Sequence, residues 1–202
     1  MNYLAIDTSG KNLTIVIRKG DETHVFFDEE CGVNHSVALM PEVEKLALKC
    51  DFDFKDADFF ACVVGAGSFT GIRIGVATIK AMCFAFYKPC LSITSFDTLA
   101  YNKTGGTVLS LIDAKHTGFY ACAYDDFKVV LPPSYLMREQ VEELVKEYAV
   151  CASTDISGME VEKVSVADGL IKAIESKLSL VTHDLESLAP LYVRKSQAEE
   201  GR

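Results

Sequence analysis

The segment Gly65-Ala66-Gly67-Ser68-Phe69-Thr70-Gly71-Ile72-Arg73-Ile74-Gly75 carries four glycines between an apolar run, Phe59 to Val64, and a helical pattern reaching about Tyr87. A strand, a glycine turn and a helix N-terminus let backbone approach an anion closely, as a phosphate site requires. The spacing is not that of a Walker A loop, because no Gly-Lys-Ser/Thr follows. Nor is it the dinucleotide fingerprint, because the third glycine stands one residue late. The same glycines also suit a tight turn at Gly65 and Gly67 and close helix packing at Gly71 and Gly75. Ser68 and Thr70 are both candidate helix caps. Asp7, followed by Thr8 and Ser9, and Asp113, followed by Ala114 and Lys115, each end an apolar run. Carboxylates at such positions orient Mg²⁺ and phosphate in phosphoryl-transfer sites; they also close turns with the amides that follow. His24, His35, His116 and His183 stand far apart, without HxxxH or HExxH spacing. Ser68 lacks the glycine two residues later that a GxSxG elbow needs. Metal hydrolysis or a serine nucleophile therefore has little support.

Composition narrows the rest. A chain of 202 residues, 49% hydrophobic and 24% charged, reads as one large or two small globular domains. The net charge of -9 argues against a direct, nonspecific grip on nucleic acid. Seven cysteines, an odd number without a CxxC pair, fit a reducing cytoplasm better than a disulfide framework. The first residues carry no basic region and meet Asp7 early, so no secretory signal is expected. No apolar run reads as long enough to cross a membrane, since Arg73 and Lys80 interrupt the longest helical stretch.

These residues need a scaffold, and the pattern supplies one. Strands are expected at Tyr3 to Ile6, Leu13 to Arg18 and Thr23 to Asp28. A helix follows near His35 to Cys50, with Asn34 as N-cap and Leu39, Val43, Leu46 and Cys50 on one stripe. Then come the strand Phe59 to Val64, the helix from Thr70, a strand Leu91 to Thr94, and a short helix from Ser95 to about Asn102. Thr104-Gly105-Gly106 marks a boundary, after which the order repeats. Strands are expected at Val108 to Ile112, Phe119 to Tyr124 and Lys128 to Leu131, the last closed by Pro132-Pro133. A helix at Arg138 to Tyr148, a strand at Val150 to Ala152 and a helix at Ala167 to Leu178 complete the copy. Three strands on short turns are antiparallel neighbours, and a strand reached through a helix is parallel. That is the ribonuclease H-like unit. Two in tandem, residues 1–103 and 104–202, make the α/β actin-like ATPase (ASKHA) fold.

The helix from Thr70 is apolar on nearly all sides, with Ile72, Ile74, Val76, Ile79, Met82 and Phe84. Gly71 and Gly75 form one row of small residues; Ala77, Ala81 and Ala85 form another. A helix apolar all round must be covered all round, so its spare face is a candidate interface.

The run Ala5-Ile6-Asp7-Thr8-Ser9, His35-Ser36 ahead of Leu39-Met40-Pro41, the Gly65 to Gly75 segment, Ser95-Phe96-Asp97-Thr98-Leu99-Ala100, and Pro190-Leu191-Tyr192-Val193-Arg194 resemble, in order, the TsaB (YeaZ) family. The similarity runs nearly end to end and is stronger in the first half. Ala66 departs from it, standing where the family usually has proline. The resemblance implies a duplicated actin-like fold and a part in making N6-threonylcarbamoyladenosine next to the tRNA anticodon. It implies a non-catalytic subunit paired with TsaD, which transfers the threonylcarbamoyl group, and with TsaE as an ATPase component. It also implies a homodimer in isolation, contact with tRNA only through the partners, and no membrane role. On this reading no cofactor is held tightly. A vestigial or shared nucleotide site would involve Asp7, Thr8, Ser9, Gly65, Gly67 and Ser68. The partner contact would be a four-helix bundle using His35, Leu39, Val43 and Leu46 of one helix and Thr70, Gly71, Ile74, Gly75, Thr78 and Met82 of the other. A metallopeptidase of the wider family and a small-molecule kinase of the actin-like class remain as alternatives.

Overall fold

The computed structural model describes residues 1–114 and 118–194. It divides into two compact units, Met1–Thr94 with Ile174–Leu191, and Ser95–Ala173 with the chain from Tyr192.

In the first unit, β1 (Tyr3–Asp7), β2 (Leu13–Lys19) and β3 (Glu22–Asp28) form an antiparallel meander. After α1 (His35–Lys49), β4 (Phe59–Val63) lies parallel to β1. After α2 (Phe69–Phe86), β5 (Cys90–Ile93) lies parallel to β4. The sheet order is β3-β2-β1-β4-β5. Leu4, Ile6, Ile15, Ile17 and Phe60 on the sheet meet Leu39, Val43 and Leu46 of α1 and Ile72, Ile79 and Met82 of α2. Each such side chain, fully buried, contributes about 1.5–3 kcal/mol. The strongest apolar stripe of α1 is thus committed to the core.

The second unit repeats the plan. It opens with α3 (Ser95–Ala100), then β6 (Thr107–Asp113), β7 (Gly118–Asp125) and β8 (Lys128–Met137) in an antiparallel meander. After α4 (Arg138–Leu144), β9 (Ala149–Ala152) runs parallel to β6, and β10 (Glu162–Lys163) runs parallel to β9. The order β10-β9-β6-β7-β8 is the first sheet's order over again. The helix α5 (Val166–Ser176) follows. This is the tandem ribonuclease H-like, actin-like architecture expected from the repeated pattern.

Three local expectations need correcting. Asn34 makes no side-chain cap to α1; a 3-10 turn, Gly32–Asn34, leads into the helix instead. Pro132 and Pro133 do not close β8, which continues to Met137; they sit on an edge strand where the register with β7 slips, between Ala123↔Leu131 and Ala121↔Ser134. The two-residue β10 carries too little pattern to be foreseen. By length and composition α2 is long and apolar enough to cross a membrane, with mean hydropathy 1.4. One side of it, however, packs on β4 and β1.

The unit boundaries also differ from a division at 103/104. Asp97 of α3 accepts a 3.0 Å hydrogen bond from the Tyr124 hydroxyl, and Ser110 Oγ donates to the Phe96 carbonyl, so α3 belongs to the second unit. Thr182 bridges Cys90, and the Leu191 N–H donates to the Val64 carbonyl, so the late segment returns to the first.

Candidate functional site

The glycine segment and the Asp7 turn come together at one end of the first sheet. β1 ends in Asp7, a buried carboxylate. Its Oδ1 accepts bonds from the Ser9 N–H at 2.7 Å and the Ser9 hydroxyl at 2.6 Å. The Thr8 hydroxyl donates to the Gly71 carbonyl at 2.7 Å. The Ser68 N–H donates to the Ser9 carbonyl at 2.7 Å, and Ser68 Oγ caps α2 by accepting from the Gly71 N–H. Of the expected nucleotide residues, Asp7, Thr8, Ser9, Gly67 and Ser68 thus come together, whereas Gly65 lies against Ile72 and the Leu191 carbonyl.

The glycines have a reason within the chain itself. A Cβ at Gly67 would overlap the Ser9 carbonyl, and one at Gly71 would overlap the Thr8 carbonyl. A Cβ at Gly75 would lie 2.6 Å from Thr8 Oγ1 and 3.2 Å from Cys62 Sγ. The turn before α2 and its first turn rest directly on the Thr8–Ser9 backbone at Gly67 and Gly71, and the second turn rests on the Thr8 side chain at Gly75. Burial pushes the Asp7 carboxyl above the ordinary carboxylate range; the two bonds from Ser9 and the nearby His35 pull it partly back. Here Asp7 closes the turn that seats α2.

At the equivalent place in the second unit, Asp113 ends β6 and is exposed. Lys115 and His116 lie outside the described residues. Among the described residues no three His, Cys, Asp or Glu side chains gather in a metal-binding group. All seven cysteines are buried, and burial pushes the Cys83 thiol up to about 12, which suits packing rather than reactivity.

The expected interface set divides sharply. His35, Leu39, Val43, Leu46, Gly71, Gly75 and Met82 are buried inside the first unit. His35 Nε2 lies 3.0 Å from the Asn12 carbonyl, Leu39, Val43, Leu46 and Met82 belong to the core on the sheet, and Gly71 and Gly75 lie against Thr8. In the single chain these seven side chains and glycines are turned into the first unit rather than outward. Ile74 and Thr78 are half-buried, and Thr70 is exposed. The outward face is built by other residues. On α2 these are Ala77, Ala81, Ala85 and Phe84, the last 75% exposed. On the adjoining α1 they are Val37, Met40, Pro41 and Leu48, the last 82% exposed. Glycine and alanine rows therefore separate: glycine inward against Thr8, alanine outward. The signal for the outward face was present in α1 as apolar residues lying off the main stripe.

Comparison with known proteins adds four findings. A family model described as "TsaD: tRNA N6-adenosine threonylcarbamoyltransferase" matches residues 26–161. The chain is 28% identical to "tRNA threonylcarbamoyladenosine biosynthesis protein TsaB" of Bacillus subtilis (strain 168), over 98% of this chain and 96% of that protein. It is 25% identical to the protein of the same name from Escherichia coli (strain K12), with the same coverage of both. Among solved structures, "YeaZ from Pseudomonas aeruginosa" superposes with a TM-score of 0.77 at 19% identity, covering 95% of this chain and 99% of that one. That last likeness speaks for the fold alone.

Proposed function

We propose that this chain, which belongs to the family of TsaD, tRNA N6-adenosine threonylcarbamoyltransferase, serves tRNA threonylcarbamoyladenosine biosynthesis as a non-catalytic subunit that pairs with TsaD. Within that family it stands with the TsaB (YeaZ) proteins, which it matches almost end to end. The observation that carries the subunit role is the outward apolar face of α1 and α2. Phe84, Leu48 and Val37 are large, apolar and exposed, beside a row of alanines that lets another helix approach closely. Such a face suits a helix pair of TsaD. In the absence of TsaD, a second copy of the chain would occupy it.

The Asp7 cluster supports the non-catalytic part of the reading. Its donors and acceptors seat α2 on the Thr8–Ser9 turn, so a nucleotide there would be weakly held or shared with the partner. The net charge of -9 favours reaching tRNA through TsaD and TsaE rather than directly. The cytoplasm, where tRNA is modified, is the proposed location. The test is threonylcarbamoyladenosine formation by purified TsaD and TsaE of the same organism, with tRNA, ATP and threonylcarbamoyl donor. Product that depends on adding this chain supports the role. Equal product without it refutes an activating subunit.

A further inference from the structure

The duplicated fold has four sheet edges, and three are closed. The β5 edge is covered by Thr182, which exchanges both backbone bonds with Cys90, and by the turn Leu185–Leu188. The β10 edge is two residues long. The β8 edge carries Pro132 and Pro133 in mid-strand, and its pairing with β7 slips between Ala121 and Tyr124. Short strands, prolines and bulges are the ordinary means of blocking edge-to-edge pairing.

The fourth edge, β3, has none of them. It is the counterpart of β8 in the first sheet. Its seven residues pair with β2 in unbroken register from Leu13↔Asp28 to Lys19↔Glu22. It contains no proline, and among the described residues no backbone group outside β2 bonds to it. His24 and Phe26 face the helix side, with Phe26 packed on the core. Val25 and Phe27 face the other way and are 43% and 49% exposed. Open backbone and two adjacent apolar side chains are what an added strand needs: ladder bonds for affinity, alternate side chains for selection.

The charges around β3 select the occupant. Asp21 precedes it, Glu22 begins it, Asp28 ends it, and Glu29 and Glu30 follow, all exposed. Two copies paired antiparallel about Val25 would set Glu22 against Asp28 at both ends. Like charges directly opposite are unfavourable, and two chains of net charge -9 repel before they meet. A strand with Lys or Arg at both ends meets the opposite situation. We infer that β3 is a docking edge for an extended segment of a partner protein, with basic residues at its two ends and apolar residues between them. This edge is separate from the face formed by Phe84 and Leu48, so its failure would leave the TsaD reading untouched.

The test is titration of the isotope-labelled chain, followed by backbone amide NMR, with a capped peptide Lys-Thr-Val-Thr-Val-Thr-Lys. Two controls are the same peptide with Glu at both ends, and one with proline in place of the central Thr. The expected result is amide shifts confined to β3 and its β2 neighbours, with each control binding at least about tenfold more weakly. Because the pairing is partly ionic and exposed, added salt should also weaken it severalfold. Doubly substituted Val25→Lys/Phe27→Lys protein should lose the response. No shifts at β3 would overturn the inference, as would a proline peptide that binds equally well. So would concentration-dependent β3 shifts in the chain alone, which would make a second copy the occupant.

Discussion

Gly75 and Ala81 lie on one helix and differ by one methyl group, yet a carboxylate placed at each should act in opposite ways. At Gly75 its Cβ would be driven between Thr8 Oγ1, Cys62 Sγ and Ile6. A buried, unpaired charge combined with overpacking costs upward of about 4 kcal/mol, a large share of a domain's 5–15 kcal/mol. Gly75→Glu should therefore lose the cooperative thermal transition. Asp7 offers a second test, through pH. Its carboxyl titrates above the ordinary range in the folded chain because burial disfavours the charged form. A raised folded value means its contribution is fully present below the unfolded value and is lost as pH rises through the folded one. Asp7→Asn keeps an acceptor for Ser9 and removes the titration. The melting-temperature difference, variant minus wild type, should therefore shrink as pH falls from about 7 to about 4. A difference that stays level over that range would contradict this account of Asp7.

At the scale of elements, α2 serves two surfaces at once. Gly71, Ile72, Gly75, Val76, Ile79 and Met82 belong to the sheet, and Ala77, Ala81, Phe84 and Ala85 to whatever lies outside. Ala81→Glu and Phe84→Lys alter only exposed positions, so each should shift stability by less than about 0.5 kcal/mol. Each should also weaken association through this face by about 2 kcal/mol or more, roughly thirtyfold. Sedimentation velocity together with thermal melts checks both at once; unfolding of either variant would place the alanine row in the core. The sequence made the existence of α2 and its excess of apolar surface plain. It did not reveal which row faces inward, because glycine and alanine rows look alike until the Thr8 carbonyl is seen against Gly71. The same holds for α1. Leu39, Val43 and Leu46 form its clearest stripe because the monomer needs them, and the surface residues Val37 and Leu48 are the remainder. Asp7, Thr8, Ser9, Gly67 and Ser68 stood out in the sequence as residues for a nucleotide. Their inward bonding did not, since side-chain direction at a turn depends on tertiary contact.

At the scale of the whole molecule, duplication is the organising fact. Two sheets of identical order come from one repeated pattern, and that repetition was visible because a three-strand meander, its first strand ending in Asp, occurs twice in sequence. What the copies do not share points to function. The first unit carries the glycine segment, the apolar helix pair and the open β3 edge. In the second, the edge matching β3 is closed by prolines, and the helix α4 has only seven residues. Such specialisation suits a member of an enzyme family that works through a partner. The most direct measurement is the mass of this chain mixed with TsaD of the same organism, by size-exclusion chromatography with light scattering. The account predicts a one-to-one complex that replaces any homodimer with the wild-type chain and fails to form with folded Phe84→Lys protein. Two proteins that elute independently, with and without nucleotide and TsaE, would contradict it.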